Sequence, residues 1–252
     1  NHAKIAQINR ATKAIYRLIM FSRYHLDDDL LDTFLTSMHN MTQLLGIKNA
    51  QMEAQNEEEL VEYLKNMEIA LAFMIEEIEL HQQLEKELQL FQLLRLVSPE
   101  AYSKHPNRYR STLVQIGAHV CPPPGEVPSL VSELFFQMQS IPNPIIRAIY
   151  LHHELIRIHP FADGNGRVTR LAKNWILMYE LYTPIFINDA ESKATYIATL
   201  KGSFKELASN PTTWNQYTAR FFEQELDRLL ENTQKLYETV NNIGIQRRKI
   251  IL

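Results

Sequence analysis

The chain has 252 residues, 45% of them hydrophobic and 22% charged, with a formal net charge of −3. That length buries a sizeable core as one domain or as a core with an added lobe, and the near-neutral balance excludes the basic footprint of a nucleic-acid binder. The single Cys121 rules out an intramolecular disulfide, no apolar run approaches a membrane span, and no signal-peptide pattern is visible from Asn1 onward. The expectation is a cytoplasmic protein that engages neither nucleic acid nor membrane.

In chain order, residues 1–20 and 27–46 read as two helices. They are divided near Arg23 to Leu26, the second opening at the acidic Asp27-Asp28-Asp29 turn and closing at Gly46. Glu57 to Leu96 is rich in Glu and Leu and free of Pro and Gly, so it reads as two helices or one bent helix, with Glu85-Lys86-Glu87 as a solvated face. Pro99 and Pro106 bracket a link into a short β segment. There Leu113, Val114, Gln115 and Ile116 are rich in β-formers, Gly117 turns the chain, and Pro122 to Pro124 end a second strand, giving a hairpin over about 109–122. Pro144 to Arg157 predicts a helix with Ile145, Ile149, His152 and Ile156 near one face and Pro144 in its first turn. Val168, Leu171, Ala172, Trp175, Ile176 and Tyr179 predict another. A further amphipathic helix runs from Thr213 to about Tyr237, and Gln246 to Leu252 is basic and then apolar, suited to a homo-oligomer contact or to the start of a further segment. The whole divides into an N-terminal helical region (1–104), a core (105–205) and a C-terminal helical extension (206–252).

The chemistry concentrates in His159-Pro160-Phe161-Ala162-Asp163-Gly164-Asn165-Gly166-Arg167-Val168-Thr169-Arg170. Two of the chain's seven glycines fall here, so backbone freedom is gathered at one turn. A Gly-flanked turn feeding a helix N-terminus leaves N–H groups bare along the helix dipole, which makes an anion site. Arg167 and Arg170, three residues apart, lie on one face of the first helical turns and clamp phosphate oxygens in fork geometry. A neutral His159 accepts a hydroxyl proton near neutral pH. Asp163 suits Mg²⁺, which takes one or two carboxylates plus substrate phosphates.

This segment resembles the Fic family motif, His-x-Phe-x-(Asp/Glu)-Gly-Asn-Gly-Arg-x-x-Arg, with every fixed position filled. The resemblance implies an all-α Fic fold, a helical bundle core with a small β-hairpin flap. It also implies transfer of AMP from ATP to a Ser, Thr or Tyr hydroxyl of a target protein, with release of pyrophosphate. On the same basis His159 looks like the general base and Phe161 like a core anchor for the loop. Asp163 would hold Mg²⁺, Gly164, Asn165 and Gly166 would cradle the α- and β-phosphates, and Arg167 and Arg170 would meet the β- and γ-phosphates. Asn107 to Gly117 and Val120 to Pro128 resemble the flap that precedes the family core, an exposed edge that pairs with an extended target segment. Tyr196 is a candidate for the adenine pocket, with plain core as the alternative.

Many Fic enzymes carry an inhibitory helix of pattern (Ser/Thr)-x-x-x-Glu-(Gly/Asn), whose Glu pairs with the second motif arginine. Leu35 to Thr42 resembles its N-terminal form, keeping hydroxyls at Thr36 and Ser37 but placing Asn40 at the Glu position and Met41 at the Gly position. In the alternative register, Thr42 to Gly46, Leu45 takes the Glu position. Both registers leave Arg170 without its carboxylate, which implies an enzyme weakly restrained from within.

Rival readings are narrower. A zinc peptidase built on His152-His153-Glu154 needs a histidine where Arg157 stands. The Fic version that phosphorylates its target carries Ala-Asn-Lys after the acidic residue, where this chain has Gly-Asn-Gly-Arg. UMP or phosphocholine transfer stays open, because base selection lies outside the motif. A catalytically idle adaptor that uses the flap has no need of His159, Asp163 and Arg167 together.

Overall fold

The computed structural model describes the backbone of residues 1–24 and 28–251 and the side chains of residues 1–20 and 29–243. Within them the helices are α1 (His2–Tyr24), α2 (Asp28–Glu53), α3 (Glu57–Glu79), α4 (Glu87–Val97) and α5 (Pro99–Lys104), then α6 (Val127–Gln139), α7 (Pro144–Ile158), α8 (Asn165–Tyr179), α9 (Ala190–Ser209) and α10 (Gln216–Ile251). Two short strands, β1 (Gln115–Ile116) and β2 (His119–Val120), pair antiparallel with Gln115 opposite Val120. The all-α architecture with one small hairpin is as the sequence implies.

Several boundaries follow from single residues. Asn143 caps α7 by accepting from the Ile146 N–H at 3.1 Å, and Pro144 follows at the first helical position, where a missing N–H costs nothing. Asn56 caps α3 in the same way through the Glu59 N–H. The break between α3 and α4 falls at residues 80–86, with His81 in the left-handed region, so the Glu/Leu-rich run is two helices.

Two expectations need correction. Gly46 does not close α2, which continues to Glu53. A Cβ built on Gly46 would lie 2.6 Å from Leu71 Cδ1, so this glycine serves the close approach of α2 to α3. The last helix extends well past Tyr237 to Ile251. The acidic turn at Asp27 falls partly outside the described residues, since α2 is seen from Asp28; for Gln246 to Leu252 only backbone, to Ile251, is described.

The antiparallel pair α7 and α8 forms the centre of the molecule, with Ile145, Ile149, Leu155, Val168, Leu171 and Trp175 all sealed from water. The apolar cluster around them draws side chains from α1 through α10, and a second, smaller cluster joins α1, α2 and α10 through Ile15, Ile19, Leu30, Leu236 and Val240. A buried charge cluster braces the back of this core. Lys173 of α8 bonds Glu225 of α10 at 2.5 Å, and Arg228 reaches the other Glu225 oxygen at 2.8 Å. Burial pushes the Glu225 carboxyl up, but Lys173 and Arg228 outweigh it and hold the group ionised. These contacts fix α8, and with it the turn that opens it.

Candidate active site

The site is built where α7 ends and α8 begins. His159 terminates α7 in left-handed geometry (φ 52°, ψ 62°), a conformation uncommon for a residue with a side chain and held here by its surroundings. Arg110, which the sequence reading passed over, supplies much of that constraint. Its buried guanidinium donates to the carbonyls of His159 (2.7 Å), Thr112 (2.8 Å) and Pro122 (2.6 Å), and its backbone N–H donates to Pro160 O at 2.9 Å. One side chain thus ties the base of the flap to the catalytic loop. A cation beside the last carbonyls of α7 is also favoured by the helix dipole. Its only advance signal was a second arginine, after Arg108, in the segment leading to the hairpin.

Phe161 is 1% exposed, stacked on Tyr109 and edge-on to Phe91. Asn165 locks the loop over it, accepting from the Phe161 N–H and donating to the Phe161 carbonyl, both at 2.8 Å. The Asn165 side chain is therefore occupied within the loop, and what the residue offers a ligand is its backbone N–H. Gly164 caps α8 at φ 78°, where a Cβ would crowd Ser98 Cβ at 3.1 Å. The N–H groups of the first turn of α8, starting with Asn165 and Gly166, have no partner within the helix.

Burial is the largest influence on His159 and pushes its pKa down to about 4, with the Arg110 charge acting in the same direction. The ring is accordingly neutral at physiological pH. Its Nδ1 is buried near the Ile156 backbone without a well-formed hydrogen bond, which leaves Nε2 as the nitrogen free to act. Asp163 has an exposed side chain whose Oδ2 accepts from Ser98 Oγ at 2.6 Å and from Arg167 at 2.9 Å. Partial burial raises its pKa, but the Ser98 hydrogen bond and the Arg167 charge more than reverse this, so the carboxylate is ionised.

The two motif arginines have different surroundings. Arg167 turns away from His159: it bonds Val97 O and Asp163 and lies 3.6 Å from the Tyr63 ring centre. Arg170 faces a cavity of about 240 Å³ that is also lined by Glu53, His159, Gly166, Lys193 and Tyr196. Tyr196 lies at the wall of this cavity with its hydroxyl tied back to His152 Nε2 at 2.8 Å. A larger groove of about 900 Å³ between α2 and α3 contains no motif residue.

Arg170 does not lack a carboxylate. Its Nη2 donates to Glu53 Oε1 at 2.7 Å and its Nε to Asn49 Oδ1 at 2.6 Å, while Asn49 Nδ2 bonds the Arg167 carbonyl. Asn40 and Thr36 are exposed and Ser37 half-buried on the same helix. Asn40 precedes Glu53 by thirteen residues, roughly 20 Å at the helical rise, and so cannot meet Arg170. The pattern that does occupy the position is Asn49-Ala50-Gln51-Met52-Glu53-Ala54, with Asn49 in place of the hydroxyl residue and Ala54 in place of Gly or Asn. The retained signal was the Asn/Glu pair at i, i+4. Burial raises the Glu53 pKa, but Arg170, then Arg167 and Lys193, outweigh it and keep the carboxylate charged. Glu53 also sits directly over the phosphate turn, where a Cβ on Gly166 would collide with its Oε1.

The flap stands beside this cavity. His119 of β2 bonds the Arg157 carbonyl at 2.9 Å and packs on Phe204, and Ile116 of β1 lines the cavity. Leu113 is 72% exposed, Gln115 is exposed, and Val114 and Ile116 are half-buried.

Fold and site together define a helical domain in which a neutral histidine and a glycine-rich helix-opening turn share one cavity with an arginine. Residues 78–177 match the family model described as Fic/DOC family, so this part of the chain is a Fic/DOC domain. Over 83 residues it is 39% identical to a protein adenylyltransferase Fic from Culex quinquefasciatus, an alignment covering 31% of this chain and 17% of that protein. A protein adenylyltransferase Fic from Drosophila grimshawi is 26% identical over 200 residues, 77% of this chain and 40% of the relative. The chain therefore spans less than half the length of these curated relatives. Among solved structures, a Fic-domain-containing signaling protein from Bacteroides thetaiotaomicron superposes with a TM-score of 0.67 at 19% identity, covering 85% of this chain and 97% of that one.

Proposed function

We propose that this protein is an adenylyltransferase that moves AMP from ATP onto a hydroxyl of a target protein. The observation that carries the reading is the shared cavity, in which the His159 ring, the Gly166 turn and Arg170 converge within a Fic domain. Relatives named protein adenylyltransferase favour AMP over UMP or phosphocholine. Neutral His159 takes the target hydroxyl proton at Nε2, the hydroxyl oxygen attacks the α-phosphorus, and the bond to the β-phosphate oxygen breaks to release pyrophosphate. Backbone N–H groups at the start of α8 and the Arg170 fork meet negative charge on the phosphates.

Asp163 is the residue to hold Mg²⁺. Among the described residues no cluster of three or more potential ligands exists, so a lone ionised carboxylate fits a cation that takes its remaining ligands from substrate phosphates and water. When bound, the ion supplies charge neutralisation at the phosphates. The flap serves the target: among the described residues its two strands pair only with each other, so an extended segment can add to an edge beside Leu113 to Ile116.

Glu53 restrains the enzyme. It bonds the arginine that would meet the γ-phosphate, lies over the phosphate turn, and leaves a cavity smaller than the usual ligand pocket of some 300–1,000 Å³. An acidic residue in the last turn of a helix is disfavoured by the helix dipole, so Glu53 depends on its cationic partners to stay in place. The test is incubation with ATP labelled at the α- or the γ-phosphate. The reading requires α-label on protein and γ-label in pyrophosphate; γ-label on protein would show phosphoryl transfer instead.

A further inference from the structure

Helix α9 places Lys193, Ile197, Leu200, Lys201 and Phe204 along one face against the cavity, at spacings of four, three, one and three. The apolar members and Ile116 make one part of the wall, and Lys193 lies at the Glu53 end. Lys193 Nζ donates to Met52 O at 2.7 Å, the carbonyl adjacent to Glu53 in the final turn of α2. Its partner is a neutral backbone acceptor on the same turn that carries the carboxylate.

The charge balance of this cavity is lopsided. Its ionised lining consists of Glu53 set against Arg170, Lys193 and Lys201. If the final turn of α2 withdraws from Arg170 as a unit, the Glu53 carboxylate and the Met52 carbonyl leave together, because the two residues are adjacent in that turn. Arg170 then loses its carboxylate and Lys193 its carbonyl, and three cations face a space with no counter-charge in its lining. Such a space calls for a polyanion, and the adjacent amide turn of α8 points to phosphate.

We propose that Lys193 is a phosphate-binding residue masked by the end of α2, engaging the terminal phosphates of a nucleoside triphosphate beside Arg170 once Glu53 is displaced. This rests on the reading of the cavity as a nucleotide site. The compact ammonium of Lys193 complements the planar fork of Arg170, since it reaches one phosphate oxygen as a point charge while the guanidinium takes two. Lys193 thus has the Met52 carbonyl as its partner in this structure and phosphate as its partner in the proposed open state.

The test uses the whole chain carrying Glu53→Ala, with and without Lys193→Met, and calorimetric binding of Mg-ATP and of AMP. Loss of one charge-assisted hydrogen bond to phosphate predicts ATP binding weakened about tenfold or more in the double variant. AMP, which lacks the terminal phosphates, keeps its affinity and so reports an intact fold. Lys193→Arg retains most of the ATP affinity. Equal ATP affinity with and without Lys193 overturns the proposal and leaves the lysine a fastener of α2 only. Equal losses for ATP and AMP also overturn it, by showing a general structural role. If Glu53→Ala alone binds no ATP, the nucleotide-site reading itself fails, and this inference falls with it.

Discussion

Replacing Glu53 with Ala removes the carboxylate that bonds Arg170 and clears the space over Gly166. The magnitude follows from the contact. A hydrogen bond between charged groups contributes about 1.5–3 kcal/mol, and with Glu53 39% exposed the lower end applies because solvent screens it. About 1.5 kcal/mol corresponds to roughly a tenfold change in the apparent affinity for ATP. That figure is a floor, because it omits the steric block of Glu53 on the phosphate turn. The assay is the initial rate of α-label transfer from ATP below saturation, compared between the wild-type chain and Glu53→Ala. Glu53→Gln, whose amide accepts with roughly half the strength, falls between them. Equal rates and equal ATP affinities in wild type and Glu53→Ala would refute the reasoning, since Arg170 would then be available with the carboxylate in place.

The pKa of His159, lowered to about 4 chiefly by burial, fixes a pH profile. The neutral ring is the active form and is present above that value, so kcat/KM of Glu53→Ala stays level down to about pH 5.5 and is half lost only near pH 4. Removing Glu53 removes an influence that raises the His159 pKa, so the limb does not move upward; half-loss near the ordinary histidine value would contradict this. At the back of the core, Lys173→Met leaves the sealed Glu225 with Arg228 as its remaining hydrogen-bonded cation among the described residues. Urea unfolding should show a loss of about 3–5 kcal/mol, and a loss below about 1 kcal/mol would show that the cluster is not the brace described.

What the sequence disclosed was local. Gly164, Asn165 and Gly166 adjoin His159 and Phe161, so spacing alone defined the turn, and periodicity defined α7 and α8 on either side. What it hid depended on long-range approach. Glu53 meets Arg170 across 117 residues, and Asn49 replaces the hydroxyl residue that usually flags such a helix. The hydroxyls that fit the usual pattern, Thr36 and Ser37, lie between three and four turns too early on the same helix. Gly46 resembled a helix stop because a glycine that admits a neighbouring helix looks the same in sequence as one that ends its own. Arg110 carried no periodic or motif signal; its importance arises only because folding brings the carbonyls of Thr112, Pro122 and His159 around one guanidinium.

The most direct test of the account is the intact mass of Glu53→Ala, alone and with His159→Ala, after incubation with Mg-ATP and a hydroxyl-bearing acceptor protein. The account predicts a gain of one or more AMP groups on protein in the single variant. In the double variant it predicts a rate lower by about 10²–10⁴-fold, with ATP affinity preserved, because only the positioned base is lost. An undiminished AMP adduct without His159 would contradict it.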